Sequence, residues 1–397
     1  MNLIRTVIHH VFIDILSFCT GIVVRFYFKR WQVNNYKQIP HKGPVIFASN
    51  HQSAFLDPLV IFFSQPRRNY FLVRANIFQN PIARFWLETL YMLPIYRVRD
   101  GIRSVAKNDE IIDKCVKILT GGNNPLVIFA EGNHNLRRAL RPLQKGVARI
   151  AFATMVANNF DIDLAIVPTG LNYGRHTRSR SDMLINFGKP IYLKQYTTLY
   201  KENPNKAYQK LVNDIFNELD KEVLSIRPAK SYAYIENEWL AKRTENTSDL
   251  RNQFDEDKKL INEISEKYKD ENFKVPEIAK KEPVPPLPSL FYRILMFPIF
   301  LYGYLNSFIA YKLLSVFIIK VVSDIHFYAS VKSTTNLVLA PLILSMQAYL
   351  VYIATGNWVI ALLYFISLPF AGILAFDYKF AVFERLPRMK GVASYYT

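Results

Sequence analysis

Short apolar runs bounded by polar and turn-forming residues recur through the first half of the chain. Apolar runs of this length, rich in branched and aromatic residues, are typical of strands buried in a sheet. The pattern predicts strands at 44–49, 70–75, 126–131, 164–171 and 183–191.

Between these runs, apolar residues recur at the spacing of three and four that is typical of helices. We predict helices near 55–64, 79–90, 104–119, 143–158 and 204–224. Strands that alternate with helices indicate an α/β fold, here a largely parallel mixed sheet flanked by helices, over residues 36–230. Ligands of such sheets bind beyond the carboxyl ends of the strands.

The last hundred residues are apolar over longer stretches. Residues 333–376 contain no Asp, Glu, Lys or Arg, and the sequence TGNW at 355–358 divides them near the middle. One membrane-spanning helix needs about 20 apolar residues, so this stretch predicts a hairpin of two spans. Residues 290–319 carry two charged residues and complete a predicted transmembrane region at 289–380.

Two further segments flank the predicted sheet. Residues 1–35 are apolar but interrupted by His9, His10 and Asp14, which predicts a membrane-associated helix rather than a cleaved signal peptide. Residues 231–288 are charged with both signs and end in a Pro-rich break. We interpret them as a solvent-exposed helical arm followed by a linker.

The composition indicates which kind of partner the protein binds. The chain is 50% hydrophobic and has a net charge of +18, a combination that favours an anionic membrane or an anionic lipid substrate. No zinc spacing, recognition-helix pattern or RNA-binding signature supports a nucleic-acid partner. The two cysteines, Cys19 and Cys115, are far apart and indicate neither a disulfide framework nor a metal site.

Polar residues whose side chains can act as acid or base follow the first predicted strand. In the sequence NHQSAFLD, His51 and Asp57 are six residues apart and cannot meet on one regular helix. They can meet if His51 lies in the turn and Asp57 in the helix that follows. A carboxylate beside an imidazole fixes its tautomer and makes it a better base. Taken alone, such a pair is more often structural.

Three further segments resemble known blocks and lie at predicted strand ends: PIYR, FAEGNHN and IVPTGL. With NHQSAFLD they resemble, in order, the four blocks of the glycerolipid acyltransferase family, whose members acylate glycerol-3-phosphate and 1-acylglycerol-3-phosphate. The five residues between His51 and Asp57, instead of the usual four, resemble the branch that includes yeast-type glycerol-3-phosphate acyltransferases.

The resemblance implies a role for each block. His51 would be the general base and Asp57 its orienting partner. Arg97 would bind the phosphate of the acceptor, and Glu131 with Gly132 would complete that pocket. The third block departs from the family pattern, because His134 stands where the family has an arginine. Arg137 or Arg138 could replace that arginine, or could belong to a solvated basic face.

The implied function is a membrane-bound O-acyltransferase of phosphatidic acid synthesis. Its partners would be membrane lipids, an acyl thioester on coenzyme A or acyl carrier protein, and a glycerol phosphate or lysophospholipid acceptor. We expect no bound cofactor and no metal. Two alternatives stay open: the same chemistry on another lyso-lipid or an amino-acid lipid, and a membrane adaptor that keeps the fold without turnover.

These substrates are cytosolic, so the resemblance implies a domain at the cytoplasmic face of a bacterial inner membrane or of the endoplasmic reticulum. The tail at 381–397 is basic and is expected on the same side. An even number of spans would satisfy both expectations. We therefore interpret 290–319 as a bent, re-entrant or interfacial element beside the two-span hairpin.

Overall fold

The computed structural model describes residues 2–54, 56–96, 108–245, 249–268, 285–321 and 325–385. Eight strands form one mixed sheet. They are β1 (Phe28–Asn34), β2 (Val45–Ser49), β3 (Tyr70–Arg74), β4 (Met92–Ile95), β5 (Leu126–Phe129), β6 (Ala165–Tyr173), β7 (Ser181–Phe187) and β8 (Ile191–Tyr192). Their order is β1-β7-β6-β2-β5-β3-β4, with β8 also paired to β6. The predicted α/β class, a mixed sheet flanked by helices, is confirmed.

Helices cover both faces of this sheet. One face carries α1 (Asn2–Tyr27), α2 (Leu56–Phe62) and α3 (Pro81–Thr89). The other carries α4 (Asn108–Thr120), α5 (Gly146–Ala157), α6 (Thr197–Glu202) and α7 (Pro204–Glu222). Alternate residues of β2 face opposite sides: Phe47 packs into the first core, whereas Ile46 and Ala48 pack into the second. The strand is buried on both faces, which explains its continuous apolar run.

The central strands bring their carboxyl ends together. β2 lies between β5 and β6 and is parallel to both. Its last residue, Ser49, is in register with Phe129 of β5 and with Thr169 of β6. Whatever follows Ser49 and Phe129 in the chain therefore leaves the sheet at one common edge, beside Thr169.

The N-terminal segment differs from the prediction in one respect. We assigned residues 1–35 to a membrane-associated helix, but Phe28–Asn34 forms the edge strand β1, parallel to β7. Arg30 binds the carboxylate of Asp182 on β7 with two hydrogen bonds of 2.8 and 2.5 Å. The pattern concealed the strand because an edge strand held by polar partners needs no apolar run. Association of α1 with a membrane stays a prediction.

The segment predicted as a solvated arm packs against the sheet instead. It forms α8 (Tyr232–Lys242) and α9 (Leu250–Lys267). Each helix buries an apolar stripe, and the two stripes form one core that includes Trp239, Phe254 and Ile261. Most of the charged residues occupy the outer sides of both helices and conceal these stripes in the sequence, whereas Glu236 and Asp257 are buried. Most of the Pro-rich linker lies outside the described residues.

The C-terminal region consists of long helices. They are α10 (Leu290–Val321), α11 (Ile325–Thr355) and α12 (Trp358–Tyr378). Within the described residues one helical stretch, Trp358–Glu384, is long and apolar enough to cross a membrane, and α11 contributes a shorter apolar part, Leu339–Thr355. The predicted break at 355–358 is the turn between α11 and α12, where Gly356 has φ +63°.

Residues 290–319 were expected to form a bent, re-entrant or interfacial element. They belong to one continuous helix, α10, which contains Pro298. This helix packs closely on α12, since a Cβ atom at Gly303 would lie 2.1 Å from the carbonyl oxygen of Ala371. The number of membrane crossings stays a matter of prediction.

Ion pairs fix the end of this helical region to the sheet. Arg180, in the loop between β6 and β7, binds Asp377 of α12 with two hydrogen bonds of 3.0 and 2.8 Å. Arg178 of the same loop binds Glu384 at 2.7 Å. The Arg385 side chain donates to the carbonyl of Pro285. The start and the end of the helical region therefore lie side by side, next to the sheet.

Gly170 provides a test of the close approach between β6 and the end of α7. A Cβ atom at this position would lie 2.1 Å from the carbonyl oxygen of Glu222, so an alanine must push two main chains apart. We expect Gly170→Ala to lower the free energy of unfolding by about 1–3 kcal/mol, measured by denaturant unfolding in detergent. Gly146→Ala is the matched control, because a Cβ atom there meets nothing within 4 Å. Equal stability of the two variants would contradict this packing.

Candidate active site

The turn that carries His51 is fixed to strand β6. The side-chain amide of Asn50 forms two hydrogen bonds with the main chain of Leu171, accepting from its N–H at 2.8 Å and donating to its carbonyl at 3.0 Å. The Ser49 hydroxyl donates to the carbonyl of Thr169 at 2.8 Å. Both polar side chains are buried. The chain thus leaves β2 in one defined direction, and His51 follows at the common edge of the strands.

The structure brings His51 and Asp57 together. Nδ1 of His51 lies 2.7 Å from Oδ2 of Asp57. The same oxygen accepts the main-chain N–H groups of Gln52 at 2.7 Å and Ser53 at 2.9 Å. Asp57 is fully buried, whereas the His51 side chain keeps 14% of its surface exposed. The imidazole is therefore bound to a buried carboxylate and remains accessible from solvent.

The extra residue between His51 and Asp57 is accommodated in the turn. Ala54 has φ +25°, and the N–H groups of Leu56 and Asp57 both donate to the carbonyl of Ser53. Helix α2 begins there, so Asp57 is in its first turn and points back to the imidazole. Five intervening residues thus produce the same contact that the family pattern implies for four.

A fourth donor, Tyr173, reaches Asp57 from β6. Its hydroxyl donates to Oδ1 at 2.6 Å. Burial, together with the negative charge of Asp57, raises the pKa of Tyr173 well above its usual range, which keeps the hydroxyl protonated as a donor. Because a carboxylate can only accept, Nδ1 of His51 carries the hydrogen, and Nε2 is left with its lone pair.

The ring of His51 has two aromatic neighbours. It stacks on Phe129, with ring centres 4.1 Å apart, and meets the ring of His134 edge-on at 5.5 Å. Phe129 ends β5, and His134 lies in the loop that follows. Stacking limits rotation of the imidazole, so its orientation is set by both the carboxylate and the ring beneath it.

Glu131 braces the main chain beside His51. Its Oε2 accepts the N–H of His51 at 3.1 Å and an Nη2 hydrogen of Arg141 at 2.5 Å, while Oε1 accepts the N–H of Arg141 at 2.9 Å. Gly132 has φ +75°, a conformation that favours glycine. Both residues thus shape the loop against which His51 rests, and their part in an acceptor pocket stays a prediction.

The predicted cationic residues lie in different places. Arg138 is 2% exposed and binds Glu236 of α8 at 2.9 Å. It therefore lies in the interior and not on a solvated basic face, and its part in binding phosphate stays a prediction. Arg137 is half-buried, with its guanidinium 5.4 Å from the centre of the Tyr232 ring, and its role stays a prediction. Arg97 lies outside the described residues.

Sequence reasoning missed three residues of this site. Asn50 was read only as part of a polar turn, and neither Tyr173 nor Arg141 was singled out. Their roles depend on contacts between β2, β6 and the loop after β5, which are distant in the chain. The one available signal was the position of Tyr173 at the end of an apolar strand.

Among the described residues, no group of three or more His, Cys, Asp or Glu side chains could hold a metal ion.

Comparison with known proteins shows what this part of the chain is similar to. Residues 30–172 match the family model Acyltransferase. The chain is 28% identical over 174 residues to glycerol-3-phosphate O-acyltransferase 2 of Saccharomyces cerevisiae, which is 35% of this chain and 23% of that protein. It is 32% identical over 104 residues to glycerol-3-phosphate O-acyltransferase 1 of the same yeast, or 26% of this chain and 13% of that protein.

Residues 30–172 therefore resemble the Acyltransferase family, and both yeast relatives are named as glycerol-3-phosphate O-acyltransferases. The chain spans less than a quarter of the length of the two yeast relatives. Among solved structures, the 1-acyl-sn-glycerophosphate acyltransferase PlsC of Thermotoga maritima aligns with 54% of this chain and 82% of its own, at a TM-score of 0.38 and 16% identity.

The hydrogen bond from Tyr173 to Asp57 should be measurable as stability. Tyr173→Phe leaves a buried carboxylate one donor short, and we expect the free energy of unfolding to fall by roughly 1.5–3 kcal/mol. Tyr196→Phe is the control, because its hydroxyl also donates to a carboxylate, Asp214, at 2.5 Å. Asp214 is 32% exposed and can be hydrated instead, so the control should lose less. The same loss in both variants would show that the hydrogen bond from Tyr173 to Asp57 stabilises the fold no more than the exposed one from Tyr196.

Proposed function

We propose that the protein is a membrane-bound O-acyltransferase that transfers a fatty acyl group from an acyl thioester to glycerol-3-phosphate or 1-acylglycerol-3-phosphate. The observation that carries this proposal is the His51–Asp57 pair, with Nδ1 bound to a buried carboxylate at the common edge of three strands. The identity to two yeast glycerol-3-phosphate O-acyltransferases supports it. The product of either acceptor belongs to phosphatidic acid synthesis.

The geometry suits direct attack by the hydroxyl of the acceptor. Nε2 of His51 takes the proton as the hydroxyl oxygen attacks the thioester carbonyl, and Asp57 stabilises the imidazolium that forms. The carbon–sulfur bond then breaks, and the thiolate leaves and takes up that proton. An ester and a free thiol are the products. The thiol would belong to coenzyme A or to acyl carrier protein, which act as co-substrates.

Positive charge near the site favours an anionic acceptor. The family resemblance assigns phosphate binding to Arg97, whose planar guanidinium can donate two hydrogen bonds to one phosphate. Among the described residues, Arg141 lies beside the site, because its side chain and the N–H of His51 both donate to Oε2 of Glu131. Its side chain is 24% exposed, and it stands in the loop where the family pattern has an arginine.

The proposal includes a location. The acyltransferase domain would face the cytosol at a bacterial inner membrane or at the endoplasmic reticulum, where acyl thioesters and glycerol phosphate are found. The candidate span ending at Glu384 and the ion pairs that hold it to the sheet support a domain kept at the membrane surface. Single-cysteine labelling from each side of sealed vesicles, near residues 260 and 392, tests this orientation.

His51→Ala should abolish transfer while the fold is kept. We expect the rate of acyl transfer to fall by roughly 10²–10⁴-fold, the usual contribution of a general base. The assay follows labelled acyl groups from acyl-CoA and from acyl carrier protein to a panel of lyso-acceptors, using purified protein in proteoliposomes. His41→Ala, at an exposed histidine before β2, is the matched control.

The same assay separates the alternatives. If the wild-type protein transferred acyl groups only to phosphate-free acceptors, the acceptor would be another lyso-lipid or an amino-acid lipid. No transfer to any acceptor from either donor would favour a membrane adaptor without turnover. A folded His51→Ala variant with most of its activity intact would refute the mechanism.

Arg97→Ala should affect the acceptor rather than the donor. We expect the apparent KM for a phosphate-bearing acceptor to rise far more than the KM for the acyl thioester, and Arg97→Lys to restore binding only in part, since an ammonium lacks the planar fork. Arg149→Ala, at an exposed arginine of α5, is the control. An equal loss with a phosphate-free acceptor would place Arg97 outside the acceptor site.

A further inference from the structure

Exposed apolar side chains are concentrated on one face of the sheet. On the face covered by α1, α2 and α3, nine large apolar residues of α1, of α3 and of the turn before α3 are exposed. They are Val11, Ile15, Phe18, Ile22, Phe26, Ile77, Ile82, Phe85 and Trp86. On α4, α5 and α7, which cover the opposite face, Val156 is the one such residue among those described. This asymmetry indicates that the two faces meet different surroundings.

Helix α3 presents these side chains as a stripe. Ile82, Phe85 and Trp86 are 71%, 61% and 43% exposed, and their spacing of three and four residues puts them on one side of the helix. Leu87, on another side, packs into the core. The helix has 9 residues and is thus roughly 14 Å long, too short to cross a bilayer of about 30 Å. A stripe of this size can only lie along a surface.

The neighbouring helices indicate what that surface is. The exposed residues of α1, from Val11 to Phe26, also recur at spacings of three and four. At the end of this row the ring of Phe26 meets Phe370 of α12 edge-on, with ring centres 6.2 Å apart. Since α12 lies in the candidate membrane span, the apolar row of α1 is continuous with a helix suited to lipid. Helix α3 packs into the same core as α1 and α2.

We propose that α3 is an interfacial membrane-binding helix that inserts Ile82, Phe85 and Trp86 into the headgroup region of the bilayer. The apolar stripe of α3 contacts lipid rather than a protein partner. Tryptophan prefers this depth. Arg84 and Glu88, each 60% exposed, lie on the side of α3 away from the stripe, as the polar residues of an interfacial helix do. The net charge of +18 favours a bilayer that contains anionic lipid.

The insertion would orient the catalytic edge of the sheet. The turn with Ile77 and the start of α3 follow the carboxyl end of β3, and His51 follows the carboxyl end of β2. Only β5 separates these two strands, so their ends are roughly 10 Å apart. With α3 in the headgroups, the opening beside His51 lies at the membrane surface. The proposal concerns binding alone and does not depend on acyl transfer.

A fluorescent probe on one introduced cysteine tests the proposal in the chain of 397 residues. Cys19 is exposed and is replaced by serine, whereas Cys115 is kept, because burial raises the pKa of its thiol to about 12 and makes it unreactive near neutral pH. Ile82→Cys carries an environment-sensitive fluorophore in the stripe. Val156→Cys carries it at the exposed apolar position of the opposite face, and Glu88→Cys carries it on α3 but outside the stripe.

The labelled proteins are reconstituted in vesicles of phosphatidylcholine and phosphatidylglycerol, with and without lipid that bears a nitroxide near the headgroup. We expect the probe at residue 82 to emit at shorter wavelength and to be quenched several-fold more strongly than the probe at residue 156. The probe at residue 88 should be intermediate. Phe85→Cys should repeat the result for residue 82, which guards against a local effect of one substitution.

Two outcomes would overturn the proposal. Equal, weak quenching at residues 82 and 156 would place α3 in water. A shorter emission wavelength at residue 82 without quenching by the nitroxide would mean that protein, for example a second copy of this chain, covers the stripe. Thermal unfolding of each labelled variant establishes that it is folded, so that either outcome can be attributed to the surroundings of α3.

Discussion

The carboxylate of Asp57 brings a negative charge to a position with no exposure to solvent, and such a charge is tolerated only where donors surround it. Its two oxygens accept from the imidazole of His51, from two main-chain N–H groups of the turn and from the hydroxyl of Tyr173. These donors come from the turn after β2 and from β6, while Asp57 itself comes from α2. One buried charge therefore fixes three elements relative to each other and aims the imidazole outward.

The loop after β5 is also held in place by buried carboxylates, here paired with arginine side chains. Glu131 connects the main chain at His51 to Arg141, and Arg138 connects the loop to Glu236 of α8. Arg138 also donates to the carbonyls of Tyr173 and Gly174, the first of which belongs to the residue that supports Asp57. Helices α8 and α9 are thereby part of the support behind the site. Removal of one partner of such a buried pair is strongly destabilising, because the other charge remains in the interior.

Much of the fold was predictable from local pattern. The strands β2, β5 and β6 were found because nearly all of their residues are buried, so each reads as a continuous apolar run. The strand β3 was found from its apolar run although only Phe71 is buried. Strand β1 was missed because its stability comes from Arg30 and Asp182, residues 152 positions apart. The packing of α8 and α9 was missed because their charged outer sides dominate the composition. In each case the deciding contact is distant in the chain, which periodicity cannot reveal. For the site, the pairing of His51 with Asp57 could be anticipated from a turn followed by a helix, but Tyr173 and Arg141 could not.

The parallel pairing of β1 with β7 has a consequence for biosynthesis. Helix α1 and β1 leave the ribosome before β7, which begins at Ser181, about 150 residues later. At a synthesis rate of about 5–20 residues per second, β1 waits roughly 8–30 s for its partner. During this interval the apolar row of α1 is already outside the ribosome, and the unpaired strand stays attached to it. The edge of the sheet is therefore completed late, after the first apolar helix has had time to reach a membrane.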